Sequence, residues 1–411
     1  MRRVVVTAAE SLCAAGTGRE ALMRALKRNE CLGVPSGYTL PISLIGRYLE
    51  DLPDMSDFVD DRKSVLGWKC ADIALSEAQW SRRSHSKDRV AVFVGTGLSS
   101  ITPHEMNQDL FGHIVEDAFD RASMAQDLRN TLAAPKRHMP HHFGKLLSES
   151  VGACRSGSNF SACAAASQAI AAGFWSVRRG EVDVAIVGGH DSMDHPMGLL
   201  SFLVLGALSP NVCRPFDSDR DGFMLGEGAG MLILESYEHA MARGAPILAE
   251  VLGAGSSMDA WNPTAPHPEG MGAEMAMKRA LKDARLSPKD IDYVNAHGTG
   301  TPLGDVAESH AIHRLFGDGV VVSSIKGAVG HCIAAAGAVE AVACVGMLDQ
   351  GWMAGTTGLV SLDPECPSQN LSTPNLVSPN VIVSNSFGFG GQNASVVLST
   401  TQFASHHYSN Q

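Results

Sequence analysis

Apolar positions follow two rhythms along the chain. Short β-branched runs bounded by glycine predict buried strands at residues 2–7, 89–95, 182–189, 231–235, 247–252, 291–295 and 320–325, with a closing pair at 381–386 and 394–400. Longer segments with apolar residues at helical spacing predict helices over 18–28, 61–80, 164–179, 272–285, 304–316 and 334–348. Residues 35–60, punctuated by Pro and Gly, and the polar stretch 155–159 read as loop. Strands alternating with helices predict α/β layers on a mainly parallel, buried sheet. The same order recurs after a break near 236–245. That predicts a duplicated unit, with one half at 1–240 and the other at 241–411.

Composition narrows the function classes. With 411 residues, 45% of them hydrophobic, the chain can bury a large core. No uninterrupted apolar run reaches the ~18–20 residues of a membrane span, and residues 2–7 resemble a first strand more than a signal peptide. The expectation is a soluble, cytoplasmic protein. Its nine cysteines are scattered, with no CxxC pair, which argues against a zinc site or a disulfide framework. A net charge of −11 argues against broad nucleic-acid binding. Residues 100–147 hold His104, His113, His138, His141 and His142 at spacings that match no metal motif, and read as an insert with a solvated or partner-facing surface. The acidic segment from Arg214 to Gly230 lacks the closing Glu of a calcium loop.

The chemistry centres on Ser161-Ala162-Cys163-Ala164-Ala165-Ala166-Ser167. A cysteine at a helix start meets the positive end of the dipole, which favours thiolate, and backbone N–H groups that can face a developing oxyanion. The competing interpretation is a small buried core cysteine. Two histidines also follow predicted strands. His297 lies in His-Gly-Thr-Gly-Thr, and His331 follows Lys326-Gly-Ala-Val-Gly330, with Lys326 and Glu340 placed to pair. Catalytic groups in layered α/β folds gather at strand C-terminal ends, although a lone histidine there is often structural.

Six motifs together give a resemblance: the cysteine elbow, Arg-Pro-Phe-Asp-Ser-Asp-Arg-Asp-Gly-Phe from Arg214, Thr264-Ala-Pro-His-Pro-Glu-Gly270, Asn295-Ala-His-Gly-Thr-Gly-Thr-Pro-Leu-Gly-Asp305, Lys326-Gly-Ala-Val-Gly-His331 and Asn385-Ser-Phe-Gly-Phe-Gly-Gly391. Nearly end to end, the chain resembles the β-ketoacyl-acyl-carrier-protein synthases, the elongating condensing enzymes of type II fatty acid and polyketide synthesis. The resemblance implies a thiolase-like five-layer α-β-α-β-α fold of two similar halves. It implies a decarboxylative Claisen condensation of malonyl-carrier-protein with an acyl chain held on Cys163, giving a 3-oxoacyl-carrier-protein. His297, His331 and Lys326 would complete the catalytic set, with Lys326, paired with Glu340, supporting His331. The backbone N–H groups of Cys163 and Phe389 would form the oxyanion hole, with Phe389 gating the acyl pocket, and Thr299 and Thr301 would touch the pantetheine arm. No metal and no cofactor is implied beyond the carrier's phosphopantetheine. Implied partners are an acyl carrier protein and a second subunit, as a homodimer or as a heterodimer with a sister ketosynthase or chain-length factor. Carrier proteins are typically acidic, so a basic patch is expected near the mouth of the site, with Arg62, Lys63, Lys69, Arg129 and Lys136 as candidates.

The sequence also departs from the family pattern. Ala166 stands where glycine is common and is expected to change packing near the acyl tunnel. The first strand runs into Thr7-Ala8-Ala9-Glu10 instead of Thr-Gly-X-Gly. Asn262 replaces a frequent histidine, and Gln392 a Thr or His. These differences leave a specialised polyketide or polyene pathway open. One alternative is a chain-length-factor-type partner subunit, which usually lacks the nucleophile. Another is the priming class, which would carry Cys-His-Asn. A structural or binding protein with an ordinary core cysteine is the remaining one.

Overall fold

In the computed structural model the described residues are 1–55, 61–81, 83–85, 87–97, 113–115, 118–123, 126 and 139–409. Strands of three or more residues are β1 (Val4–Cys13), β2 (Val90–Thr96), β3 (Arg155–Asn159), β4 (Val184–Asp191), β5 (Gly228–Ser236), β6 (Ala249–Met258), β7 (Tyr293–Asn295), β8 (Val321–Ser323), β9 (Val381–Gly388) and β10 (Gln392–Ser399). The main helices are α1 (Arg62–Glu77), α2 (Ala165–Arg178), α3 (Pro196–Val204), α4 (Met271–Ala284), α5 (Pro302–Phe316) and α6 (Ala336–Gln350).

The sheet runs β3-β2-β4-β5-β1-β6-β10-β9-β7-β8. The first five strands and the second five therefore have the same order. In each set the outer three are parallel and the inner two antiparallel. The sets join where Val4–Val6 pairs with Ala249–Val251. α2 and α6 lie between them, each touching strands of both sets, while α1 covers one outer face and α4 with α5 the other. This is the five-layer arrangement that the resemblance implies.

Burial explains the central helices. In α6 every residue from Ala336 to Leu348 is buried, so the helix is apolar on all sides. The 18-residue window Ile333–Gln350 is long and apolar enough to cross a membrane, but 89% of it is buried inside the protein. Glu340 interrupts its apolar run and is itself buried.

Four expectations need correction. The sheet is mixed and not mainly parallel: four neighbouring pairs among the ten strands are parallel and five, around β5, β1, β6 and β10 at its centre, are antiparallel. Residues 155–159 form β3, parallel to β2, although Arg-Ser-Gly-Ser-Asn has no apolar alternation. β3 has one neighbour in the sheet and is half-exposed or exposed throughout, so burial never selected apolar residues for it. Helix α3 was not anticipated; its Pro-Met-Gly-Leu-Leu-Ser-Phe-Leu-Val sequence is apolar without a clear helical stripe. In the segment read as a solvated insert, His113 is buried and its Nδ1 lies 2.8 Å from Ser123 Oγ, whereas His141 is exposed and His142 half-buried. His104, His138, Arg129 and Lys136 lie outside the described residues.

Candidate active site

Cys163 occupies a 3₁₀ turn, Ala162–Ala164, between β3 and α2. The turn is tight enough to force Ala162 to φ 48°, in the left-handed region. Gly388, at the end of β9, lies against it: a Cβ there would come within 3.0 Å of the Cys163 nitrogen. Close approach of these two backbones therefore requires glycine. Ala166 packs into the core, and its methyl group faces Gly189 of β4. It is not among the residues that line the cavity over Cys163.

Two loops of the second half bring the histidines to the thiol. His331 Nε2 lies 3.1 Å from Cys163 Sγ. Its backbone is clamped on both sides: its N–H donates to Met224 O at 2.8 Å, and its carbonyl accepts from Gly226 N–H at 2.9 Å. His297 follows β7, and its ring stands 5.2 Å from that of His331 at 83°. The ligating atoms of Cys163, His297 and His331 all lie within 4.8 Å of one another. Lys326 is buried below them, donating to His297 O at 2.5 Å and pairing with Glu340.

Two acids with no role assigned from sequence shape the His297 loop. Glu308 accepts from the N–H groups of His297 and Gly298 at 2.8 and 2.7 Å. Asp305 accepts from Thr299 and Gly300 at 3.0 and 3.1 Å, and from Phe216 at 2.7 Å. Both acids are buried on α5. Their i, i+3 spacing on one helix face, beside Ile312, was the available sequence signal.

The site is electrically unusual because its ionisable groups are buried. Burial pushes the Cys163 thiol up to about 12, opposed by the Lys326 charge and by the Phe389 backbone N–H that faces the sulfur. Burial, reinforced by Lys326, holds both His297 and His331 well below the usual imidazole range. Glu340 is raised to about 7 by burial, with Lys326 pulling the other way. The thiolate favoured by the helix start is thus opposed by desolvation, and the resting groups are a thiol and two neutral imidazoles. Among the described residues neither Nδ1 has a hydrogen-bond partner. The tautomer protonated at Nε2 leaves only a lone pair there and is the cheaper one.

A cavity of about 400 Å³ opens over these groups. Its lining includes the aromatic rings of Phe202, Phe223, Phe387 and Phe389 and the polar side chains of Thr299, Thr301, Asn262 and Thr264. Thr299 and Thr301 hydroxyls are 2.9 Å apart. Asn262 Oδ1 accepts from the N–H groups of Thr264 and Ala265, so it closes the turn on which that part of the lining is built. Among the described residues no Lys or Arg lines the cavity. Of the expected basic patch, Lys63 is buried, Arg62 pairs with Glu227, and Lys69 donates to Tyr48 and Asp51 O.

The β-ketoacyl synthase N-terminal domain matches residues 54–240, and the β-ketoacyl synthase C-terminal domain matches 248–359. Nodulation protein E of Rhizobium meliloti is 37% identical over 412 residues, covering 96% of this chain and 98% of that protein. The 3-oxoacyl-[acyl-carrier-protein] synthase 2 of Staphylococcus aureus is 36% identical over 358 residues, covering 82% of this chain and 84% of that protein. Among solved structures, a β-ketoacyl synthase from Burkholderia phymatum STM815 superposes with a TM-score of 0.87 at 32% identity, covering 98% of this chain and 100% of the other. The AntDE:AntF structure, a type II polyketide acyl-carrier protein in complex with its ketosynthase, gives 0.84 at 25% identity, covering 97% and 100%. The ishigamide ketosynthase/chain length factor gives 0.81 at 29% identity, covering 97% and 99%.

Proposed function

The chain belongs to the β-ketoacyl synthase family, and on that premise we propose how its own residues carry out the condensation. It is an acyltransferase that joins a malonyl unit, with loss of CO₂, to an acyl chain and yields a 3-oxoacyl-carrier-protein. Cys163 takes the acyl chain from the carrier's phosphopantetheine: its thiol gives up a proton, the sulfur bonds the thioester carbon, the bond from that carbon to the pantetheine sulfur breaks, and the proton ends on the departing pantetheine thiol. The Cys163 and Phe389 N–H groups hold the oxyanion of that transfer, and Phe389 gates the pocket. His297 and His331, both neutral, each present an N–H to the malonyl thioester carbonyl and stabilise the enolate formed as CO₂ leaves. Lys326, charge-balanced by Glu340, keeps both imidazoles neutral and fixes His297 through its carbonyl. Thr299 and Thr301 line the path of the pantetheine arm. Thioester cleavage and CO₂ release supply the driving force, so the chemistry calls for no metal or redox cofactor.

The observation that carries this reading is the 3.1 Å approach of His331 Nε2 to Cys163 Sγ, with His297 beside it on a buried lysine. A chain-length-factor role would not require that constellation. The partners are an acyl carrier protein and a second subunit, either another copy or a sister ketosynthase or chain-length factor. We assign residues 1–240 to a half carrying the nucleophile and 241–411 to a half carrying the histidines, and the protein to the cytoplasm. Similarity to the ketosynthase of the AntDE:AntF type II polyketide structure, together with the departures at Glu10, Asn262 and Gln392, supports a specialised polyketide or polyene pathway. The test is intact-mass spectrometry after incubation with acyl-carrier-protein thioesters of several lengths. An adduct on the wild type that vanishes in Cys163→Ala supports the assignment. No adduct at any length, with a sister subunit present, refutes it.

A further inference from the structure

The cavity over Cys163 opens between residues 205–207, 262–266 and 301–304. A carrier protein delivering its arm through this cavity must sit over these segments. Leu205 and Leu303 line the cavity and yet are 50% and 67% exposed, which places them at its mouth. Trp261, beside the lining residue Asn262, is 59% exposed. The charged residues in the lining, Asp259, Asp305 and Glu308, are all acidic. Arg220 approaches from behind, but its guanidinium is committed to Asp363 and to the carbonyls of Asp217, Thr301 and Pro302. The whole chain carries −11. An acidic carrier therefore approaches through a field of its own sign and finds large apolar side chains at the rim.

We propose that the acyl carrier protein docks on this chain through an apolar collar of Leu205, Trp261 and Leu303 at the mouth of the cavity. The proposal rests on the ketosynthase reading above. Large exposed apolar groups ringing a functional opening are what a partner interface needs at its centre. Charge steering normally speeds the encounter and fades with salt. Here the long-range term is repulsive, so salt should leave carrier binding unchanged or improve it.

The experiment measures initial rates of Cys163 acylation by mass spectrometry, from acyl-carrier protein and from acyl-pantetheine, at about 50 and about 500 mM salt. For the wild type, the carrier KM is expected to stay level or fall by up to about twofold at high salt. Leu303→Glu and Leu303→Lys should each raise the carrier KM about five- to tenfold, and more than the pantetheine KM. Position 303 is exposed in the first turn of α5, so either residue is compatible with folding, and Glu suits the helix N-terminus. A carrier KM that climbs tenfold or more with salt would overturn the proposal, as would Lys lowering KM while Glu raises it. Unchanged KM in both variants, with weakened self-association on sedimentation, would assign the collar to a second copy of the chain and likewise overturn it. Acylation from neither donor would refute the ketosynthase reading and this inference with it.

Discussion

Cys163 gives the sharpest quantitative prediction, because two effects on its thiol oppose each other. The helix start, the Phe389 N–H and Lys326 favour thiolate, while burial opposes it and pushes the thiol up to about 12. At pH 8 that leaves a thiolate fraction of about 10⁻⁴, against roughly one quarter for an ordinary cysteine. The more basic thiolate is intrinsically more nucleophilic, which recovers about 40-fold. The net expectation is alkylation about 50- to 100-fold slower than free cysteine at pH 8, rising about tenfold per pH unit with no plateau up to pH 10. Lys326→Met removes a charge that favours the thiolate and should slow alkylation about tenfold further at each pH. The assay is iodoacetamide labelling followed by peptide-resolved mass spectrometry of the Cys163 peptide, since the exposed Cys31 and Cys154 will label as well. A plateau below pH 8, or a wild-type rate equal to that of free cysteine, would refute the reasoning. The helix end and the amide would then outweigh desolvation, and the resting nucleophile would be a thiolate.

The Lys326–Glu340 pair should behave as a buried ion pair, costly to break and cheap to replace. Lys326→Met is expected to lower stability by about 3 kcal/mol at pH 8, and Lys326→Met with Glu340→Gln to recover to within about 1 kcal/mol of wild type. Urea denaturation of the three proteins decides it, and equal losses in the single and double variants would count against a coupled pair. Glu10 is raised from 4.5 to about 7, first by burial and then by the neighbouring Glu77, with the Arg19 N–H and charge opposing. A carboxyl raised in the folded state costs stability as pH rises from the unfolded value through the folded one, so its penalty is complete above about pH 7. After discounting for its partial exposure, Glu10→Gln should add about 1–2 kcal/mol at pH 8 and nothing at pH 4. Thermal melts at the two pH values test the sign, and equal shifts at both would remove titration as the cause.

Much of this was legible because burial writes itself into sequence. Apolar runs marked nine of the ten strands, although β1 and β6 each run six residues past the expected end, and the buried α6 was visible as an alanine-rich stretch. β3 was missed for the converse reason: an edge strand with one neighbour needs no apolar residues. At the site, Cys163, His297 and His331 stood out because their loops are rich in small residues, where backbones and ligands approach closely. Glu308 and Asp305 did not, because their work is to accept backbone N–H groups from a loop that precedes them in sequence, a relation only the fold reveals. Two of the five candidates for the basic patch are tied up within the chain, for a different reason. Counting Lys and Arg says nothing about where they point: Lys63 is buried, and Arg62 is tied to Glu227.

The repeated sheet order explains why a duplicated architecture supports one nucleophile. Each half places a strained 3₁₀ turn before its central helix, with Ala162 at φ 48° and Ile333 at φ 47°. Cys163 follows the first strained residue, and Ala334 follows the second. The end of a strand from the opposite set faces each turn. At the second turn that strand is β4, which ends in Asp191, and its carboxylate accepts the Ala334 N–H at 3.1 Å. At the first it is β9, which ends in Gly388, with no side chain to offer the Cys163 nitrogen. Both turns direct backbone N–H groups at the start of a helix, where an anion is stabilised. One holds an anion of the protein's own and is thereby closed as structure. At the other, glycine leaves the position that the proposed oxyanion would fill, beside the thiol whose chemistry creates it.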